Sequence, residues 1–168
     1  MKTFVTSDHH FGSWRRFDVL KAFSEDEENI LIDKWNSVVQ PNDVVLYDGD
    51  FHDCNLTELL EYVKRLNGKI ILIKGNHDIL PDNVYEAMFQ DVLDELYIGK
   101  YDLLIHHCPT HLKSSKHQIF GHVHRSQFTS DNYDGFCSCV QFNDGYPVSL
   151  EKILDILNNK SIRQIADK

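Results

Sequence analysis

Short apolar runs and helix-spaced apolar stripes take turns along the first half of the chain. Phe4-Val5-Thr6, Val44-Val45-Leu46-Tyr47 and Ile70-Ile71-Leu72-Ile73 are too short for helices and rich in β-branched or aromatic residues, so they predict buried strands. Between the first two, Ile30, Leu31, Trp35 and Val38 form a stripe behind Ser24-Glu25-Asp26-Glu27, a capping box. That helix is expected to reach about Val39, where Pro41-Asn42-Asp43 supplies turn chemistry. A second stripe of Leu56, Leu59, Leu60, Val63 and Leu66 follows Asn55 as its cap and ends at Asn67-Gly68. Strand, helix, strand, helix, strand predicts parallel strands with crossover helices.

Beyond Ile73 the pattern changes. Asp82 to about Phe89 predicts a short helix. Leu96-Tyr97-Ile98 and Tyr101 to Ile105 flank Gly99-Lys100 as the arms of a hairpin, which predicts a shift to antiparallel β. Gln118-Ile119-Phe120 and Ser138 to Phe142 read as further strands. After the turn at Asn143-Asp144-Gly145, Ser149 caps a helix carrying Ile153, Leu154, Ile156 and Leu157. Trp14 to Phe23 has no clear pattern, and Ser161 to Lys168 reads as a short helix or a frayed end. No repeat or linker interrupts the sequence, so residues 1–168 are expected to form a single domain.

Composition narrows the function classes. Hydrophobic residues at 42% and charged residues at 26% describe a globular chain able to bury a core. No apolar run approaches bilayer length, and Met1-Lys2-Thr3-Phe4-Val5 passes directly into strand-like sequence without a signal region, so a cytoplasmic protein with no membrane partner is expected. A net charge of −9 argues against an extended nucleic-acid surface, although bound cations would offset part of it. Cys54, Cys108, Cys137 and Cys139 lack zinc-site spacing and are read as reduced packing residues.

The polar residues at the strand ends change the picture most. Ten histidines are present, and several cluster as His9-His10, His106-His107 and His122-x-His124, with His52 and His77 beside aspartates. The first three strands end in Asp8-His9-His10, Asp48-Gly49-Asp50 and Lys74-Gly75-Asn76-His77-Asp78. Parallel order puts these clusters along one sheet edge, the end where ligands bind in open α/β sheets. Asp8 and His10 alternate, so their side chains share a direction if strand geometry persists. Gly75 is expected to admit a backbone conformation closed to other residues. A pair of divalent ions needs about seven ligands, one of them a carboxylate able to span both. Asp8, His10, Asp50, Asn76, His107, His122 and His124 supply that inventory, with His77 left over. His106 competes with His107, and spacing to Pro109 favours His107. Arg15 and Arg16 are candidate phosphate contacts through their forked donors, or solvated side chains. His9, His52, His111 and His117 are read as ordinary histidines, with His9 and His52 able to support the ligands.

Asp8-x-His10, Gly49-Asp50, Gly75-Asn76-His77-Asp78, His107-Cys108-Pro109 and Gly121-His122-x-His124, in this order, resemble the signature of the calcineurin-like metallophosphoesterase superfamily, notably its small bacterial and phage members. The resemblance implies an α/β fold: a four-layer β-sandwich of mixed parallel and antiparallel sheets flanked by helices. It implies a hydrolase of small, nucleotide-like phosphodiesters or phosphomonoesters, with two divalent ions as cofactors (Mn²⁺, with Fe, Zn²⁺ or Ni²⁺ as alternatives). Asp8, His10 and His124 would hold one ion, Asn76, His107 and His122 the other, and Asp50 would bridge them. A hydroxide between the ions would attack phosphorus while His77, oriented by Asp78, protonates the leaving oxygen. An inactive binding or scaffold module and a nuclease of the same superfamily are the competing readings. Two positions depart from the pattern. Ser13 stands where close members often carry histidine, and Cys139-Val140-Gln141-Phe142 replaces an Asp-containing stretch. Substrate, metal identity and oligomeric state are not encoded in these motifs.

Overall fold

The computed structural model describes residues 1–13, 23–109, 115–124 and 135–159. Among these residues nine strands form two sheets. The first has the order β4 (Asp91–Leu93), β3 (Lys69–Ile73), β2 (Val44–Asp48), β1 (Thr3–Thr6) and β9 (Val148–Ser149). Its first four strands are parallel, and β9 pairs antiparallel with β1. The second has the order β5 (Leu96–Ile98), β6 (Leu103–Ile105), β7 (His117–Phe120) and β8 (Phe136–Cys137). This is the mixed α/β sandwich with flanking helices that the resemblance implies.

Side-chain alternation explains why the strands read as continuous apolar runs. Phe4, Val45, Tyr47, Ile70 and Leu72 face a core shared with helices α1 (Glu25–Val38), α2 (Leu56–Arg65) and α3 (Asp82–Glu86), which contribute Ile32, Trp35, Leu59 and Tyr85. Val5, Leu46 and Ile73 point the other way, into a core between the sheets with Leu103, Ile105, Ile119 and Phe136. Both faces of the first sheet are covered, as is usual for parallel strands. The capping box expected at Ser24 forms, and the cap at Asn55 proves to be a second one. Ser24 accepts from the Glu27 amide and Asn55 from that of Glu58, while each glutamate accepts from the cap residue's amide. Helix α4 (Leu150–Asn158), capped by Ser149, sends Ile153 into the inter-sheet core.

Several expectations about the second half need correction. Only β5 and β6 pair antiparallel in the second sheet; β6–β7 and β7–β8 are parallel. The connection at Gly99–Tyr101 is a turn of 3-10 helix with Asp102 left-handed, not a two-residue turn. The last predicted strand is shorter and earlier: β8 ends at Cys137, and Val140–Phe142 coils into 3-10 helix. The third helix stops at Glu86. Strands β4 and β9, three and two residues long, carry too little pattern to be predicted. Among the described residues no helix is long and apolar enough to cross a membrane. All four cysteines are free, and Cys137 and Cys139 are buried together beside Phe120.

Candidate metal centre

Parallel order in both sheets brings the polar ends of five strands to one place. Asp8 follows β1, Asp50 follows β2, Asn76 and His77 follow β3, His107 follows β6, and His122 and His124 follow β7. The first two loops are zipped together by their backbones: Asp8 N donates to Gly49 O at 3.0 Å, His10 N to Asp50 O at 3.2 Å and Phe11 N to Phe51 O at 2.9 Å. Strand geometry does not persist past β1, as the Asp8 and His10 alternation required. Both residues are left-handed (φ 60° and 48°), as are Asp50 (56°), His122 (68°) and His124 (41°). Each such residue costs about 1–2 kcal/mol. Curling the chain at each strand end aims these side chains inward, over one another.

Two groups of donors share Asp50, beside a third made of His10, Asp53 and His77. In the first, ligating atoms of Asp8, His10, Asp50 and His124 all lie within 4.8 Å of one another; in the second the same holds for Asp50, His107 and His122. Asp50 belongs to both. Asn76 joins the second group, its Oδ1 2.8 Å from His122 Nδ1. His107 Nδ1 is fixed by the Asp48 carbonyl at 2.7 Å, which leaves Nε2 facing Asp50 Oδ2 at 3.2 Å. His10 Nε2 faces the same oxygen at 3.6 Å. Both Nε2 atoms are buried and lack a hydrogen-bond partner. Buried nitrogens without partners around a carboxylate are what a cation would satisfy, so the donor set fits two divalent ions. Charge agrees. Burial alone would depress the His107 pKa, yet the Asp50, Asp8 and Asp48 carboxylates raise it to about 10. His10 is likewise raised against its burial by Asp53, Asp50 and Asp8, and Asp50 is pulled well below the ordinary carboxylate range despite its own. The cluster demands positive charge.

His77 stands beside the groups with its side chain 37% exposed. Its backbone N–H donates to Asp50 Oδ1 at 2.9 Å and its Nδ1 lies 2.7 Å from Asp53 Oδ1, which leaves Nε2 outward. The orienting carboxylate is therefore Asp53, not Asp78. Both Asp78 oxygens are taken by backbone amides, Oδ1 by Phe51 at 3.0 Å and Oδ2 by Asp50 and Gly75 at 2.8 Å. Asp78 thus ties the β2 loop to the β3 loop, and its burial lifts its pKa to about 6. Asp53 also holds His10, its Oδ2 lying 2.9 Å from His10 Nδ1. The spacing Asp50-x-x-Asp53 was visible in the sequence, but nothing there set Asp53 apart from Asp78, which is the nearer to His77 in sequence.

Other expectations resolve as follows. Gly75 does not have positive φ; a Cβ there would overlap Asp50 Oδ1 and lie 2.5 Å from the Asp50 amide, so space is what requires glycine. His106 bonds the Cys108 carbonyl at 2.7 Å and belongs to neither donor group, whereas His107 does. Ser13 is fully buried, and Gln141 reaches the Asp8 carbonyl at 3.5 Å. His9 and His52 bond the buried tyrosines 47 and 85 rather than substrate space. Arg15, Arg16 and His111 lie outside the described residues.

Comparison with known proteins points one way. The family profile described as calcineurin-like phosphoesterase matches residues 1–121. The uncharacterised protein MJ1445 of Methanocaldococcus jannaschii is 28% identical over 182 residues, covering 99% of this chain and 97% of that protein. A shorter likeness, 38% over 52 residues, links 30% of the chain to 18% of an acetylglutamate kinase of Pelotomaculum thermopropionicum, too small a share to carry function. The crystal structure of AQ665, a protein of unknown function from Aquifex aeolicus, has the same fold. Its TM-score is 0.69 at 24% identity, over 96% of this chain and 99% of that one.

Proposed function

The chain belongs to the calcineurin-like phosphoesterase family, and on that footing we propose that it is a metal-dependent hydrolase of small, nucleotide-like phosphodiesters or phosphomonoesters. The observation that carries this reading is Asp50 standing in both donor groups with an outward-facing histidine beside it. Asp8, His10, Asp50 and His124 would hold one ion, and Asp50, Asn76, His107 and His122 the other. Mn²⁺ is the first choice, and the same donors suit Fe, Zn²⁺ or Ni²⁺. When bound, such ions withdraw charge from the phosphoryl group and acidify water between them.

The chain's own residues do the rest. His77 is the general acid: its Nε2 faces outward and gives a proton to the oxygen leaving phosphorus. Asp53 accepts the Nδ1–H of His77, which fixes the tautomer and the orientation of the ring. Because Asp53 also holds His10, the proton donor and a metal ligand share one anchor. Asp78 keeps the two loops in register from beneath. The net charge of −9 supports a small substrate over an extended nucleic acid.

The test is a matrix of metal-stripped protein reloaded with each ion, against aryl mono- and diesters and 2′,3′- and 3′,5′-cyclic nucleotides. Activity on at least one class with two ions bound is expected, and silence across the matrix at full loading favours a binding module. His77→Ala should keep both ions and lose about 10²–10⁴-fold of turnover on alkyl leaving groups, with a smaller loss on nitrophenyl esters that leave without a proton. Equal rates on an alkyl ester would remove His77 from the role.

A further inference from the structure

The residues assigned so far leave one buried cluster without a task. Asp48, the last residue of β2, is fully buried, and its Oδ1 has no partner. Its Oδ2 lies 2.8 Å from the hydroxyl of Ser138, which lies 2.9 Å from the hydroxyl of Ser7. Ser7 in turn donates to Asp8 Oδ2. None of the four residues is more than 1% exposed. The line of oxygens runs from β2, through the residue after β8 in the other sheet, to the residue after β1.

A carboxyl buried with one oxygen unpaired costs free energy, so fold stability does not account for Asp48. What the line does reach is Asp8. Ser7 holds Oδ2, the His122 amide donates to the carboxylate at 3.1 Å, and Oδ1 is left facing His124 Nε2 at 3.4 Å. The backbone packs tightly against the line. A Cβ on Gly121 would sit 2.5 Å from Asp8 Oδ2 and 2.8 Å from Ser7 Oγ, so the backbone closes over the junction.

We propose that Asp48 is a positioning residue for the metal centre, acting through the hydroxyls of Ser138 and Ser7 to hold Asp8 with one oxygen presented to the ion it shares with His10, Asp50 and His124. The proposal rests on the reading of Asp8 as a ligand. Asp48 itself touches neither ion nor substrate. It sets one rotamer, and removing such a support costs about 10–100-fold in metal affinity.

Calorimetric titration of metal-free protein with Mn²⁺, beside thermal melts of the same metal-free samples, tests it. Asp8→Ala should lose one of two ions. Asp48→Ala should bind one of its two ions about 10–100-fold more weakly without melting lower than wild type, and Asp48→Asn, which keeps a group able to bond Ser138, should recover most of that affinity. Ser7→Ala should match Asp48→Ala, and the double variant should be no worse than Ser7→Ala, because both cut one line. If Asp48→Ala does not fold, Ser138→Ala cuts the same link. Wild-type affinities in Asp48→Ala or Ser138→Ala, independent losses in the double variant, or a lower melting temperature with affinity unchanged would overturn the proposal while Asp8 stands as a ligand. Retention of both ions by Asp8→Ala would instead overturn the ligand reading, and the proposal with it.

Discussion

His9 and His10 are neighbours in sequence and belong to opposite kinds of environment. His9 points into the core under α1–α3, stacked on Phe11 at 4.9 Å and edge-on to Trp35 at 5.6 Å, with Nδ1 2.9 Å from the Tyr47 hydroxyl. Burial, with a contribution from His10, pushes its pKa down to about 3. His10 turns the other way, among Asp50, Asp53 and Asp8, and is raised. One loop therefore separates a region that expels charge from one that demands it. The core obeys local rules: apolar period, capping boxes, aromatic packing. The metal centre breaks them, with left-handed aspartates and histidines, clustered carboxylates and ring nitrogens without partners. Such conflicts gather where function outweighs stability.

Substitutions on either side sharpen the contrast. The largest effect is expected at Asp50. Asp50→Ala should lower affinity for both ions at once and reduce turnover by more than about 10³-fold, because it belongs to both donor groups. Metal analysis after dialysis decides, and retention of two ions would deny the bridging role. Trp35→Ala should do the reverse. It deletes a fully buried ring whose Nε1 donates to the Asn67 carbonyl at 2.9 Å, at about 3–5 kcal/mol of stability by urea unfolding. The protein that remains folded should keep its metal stoichiometry.

Asp53→Asn comes next. It retains shape but loses the charge shared by His77 and His10, so a fall of about 10–100-fold in turnover is expected. Asp78→Asn should act chiefly on stability, since Asp78 bonds backbone rather than His77. Similar kinetic losses in both variants would erase the distinction drawn here between them.

The last contrast belongs to His9 and depends on pH. Its folded pKa, about 3, lies below the unfolded value near 6.5, so the unfolded chain takes the proton first. The His9 contribution to stability is intact above pH 6.5 and is lost as pH falls from there toward 3, at about 1.4 kcal/mol per unit. His9→Phe should flatten that part of the acid-unfolding curve. Identical slopes between pH 6.5 and 4.5 for variant and wild type would place His9 in a wetter site. At the metal centre the opposite trend is expected: His107, held near 10, must give up its proton to a metal, so Mn²⁺ affinity should rise from pH 6 to 8.

Much of this was legible in the chain itself. Ser24 and Asn55 cap their helices as written, the runs at Phe4, Val44 and Ile70 lie in the three strands expected of them, and the clusters at Asp8, Asp50 and Asn76 lie at one edge. These features depend on neighbours within a few residues or on a strict period, so the linear order contains them. What depended on distant partners was not legible. Asp53 and Asp78 are alike in sequence, and only the folded loops give one to His77 and the other to backbone amides. His107 is the exception: spacing to Pro109 already favoured it over His106, and it is His107 whose Nε2 faces Asp50. Gly75 reads as a turn signal, yet its reason is the Asp50 side chain packed against it. Periodicity and capping determined the elements, because their energetics are local. The tertiary structure alone decided which polar groups meet, because those contacts join residues more than a hundred positions apart, as Asp8 and His122 are at 114.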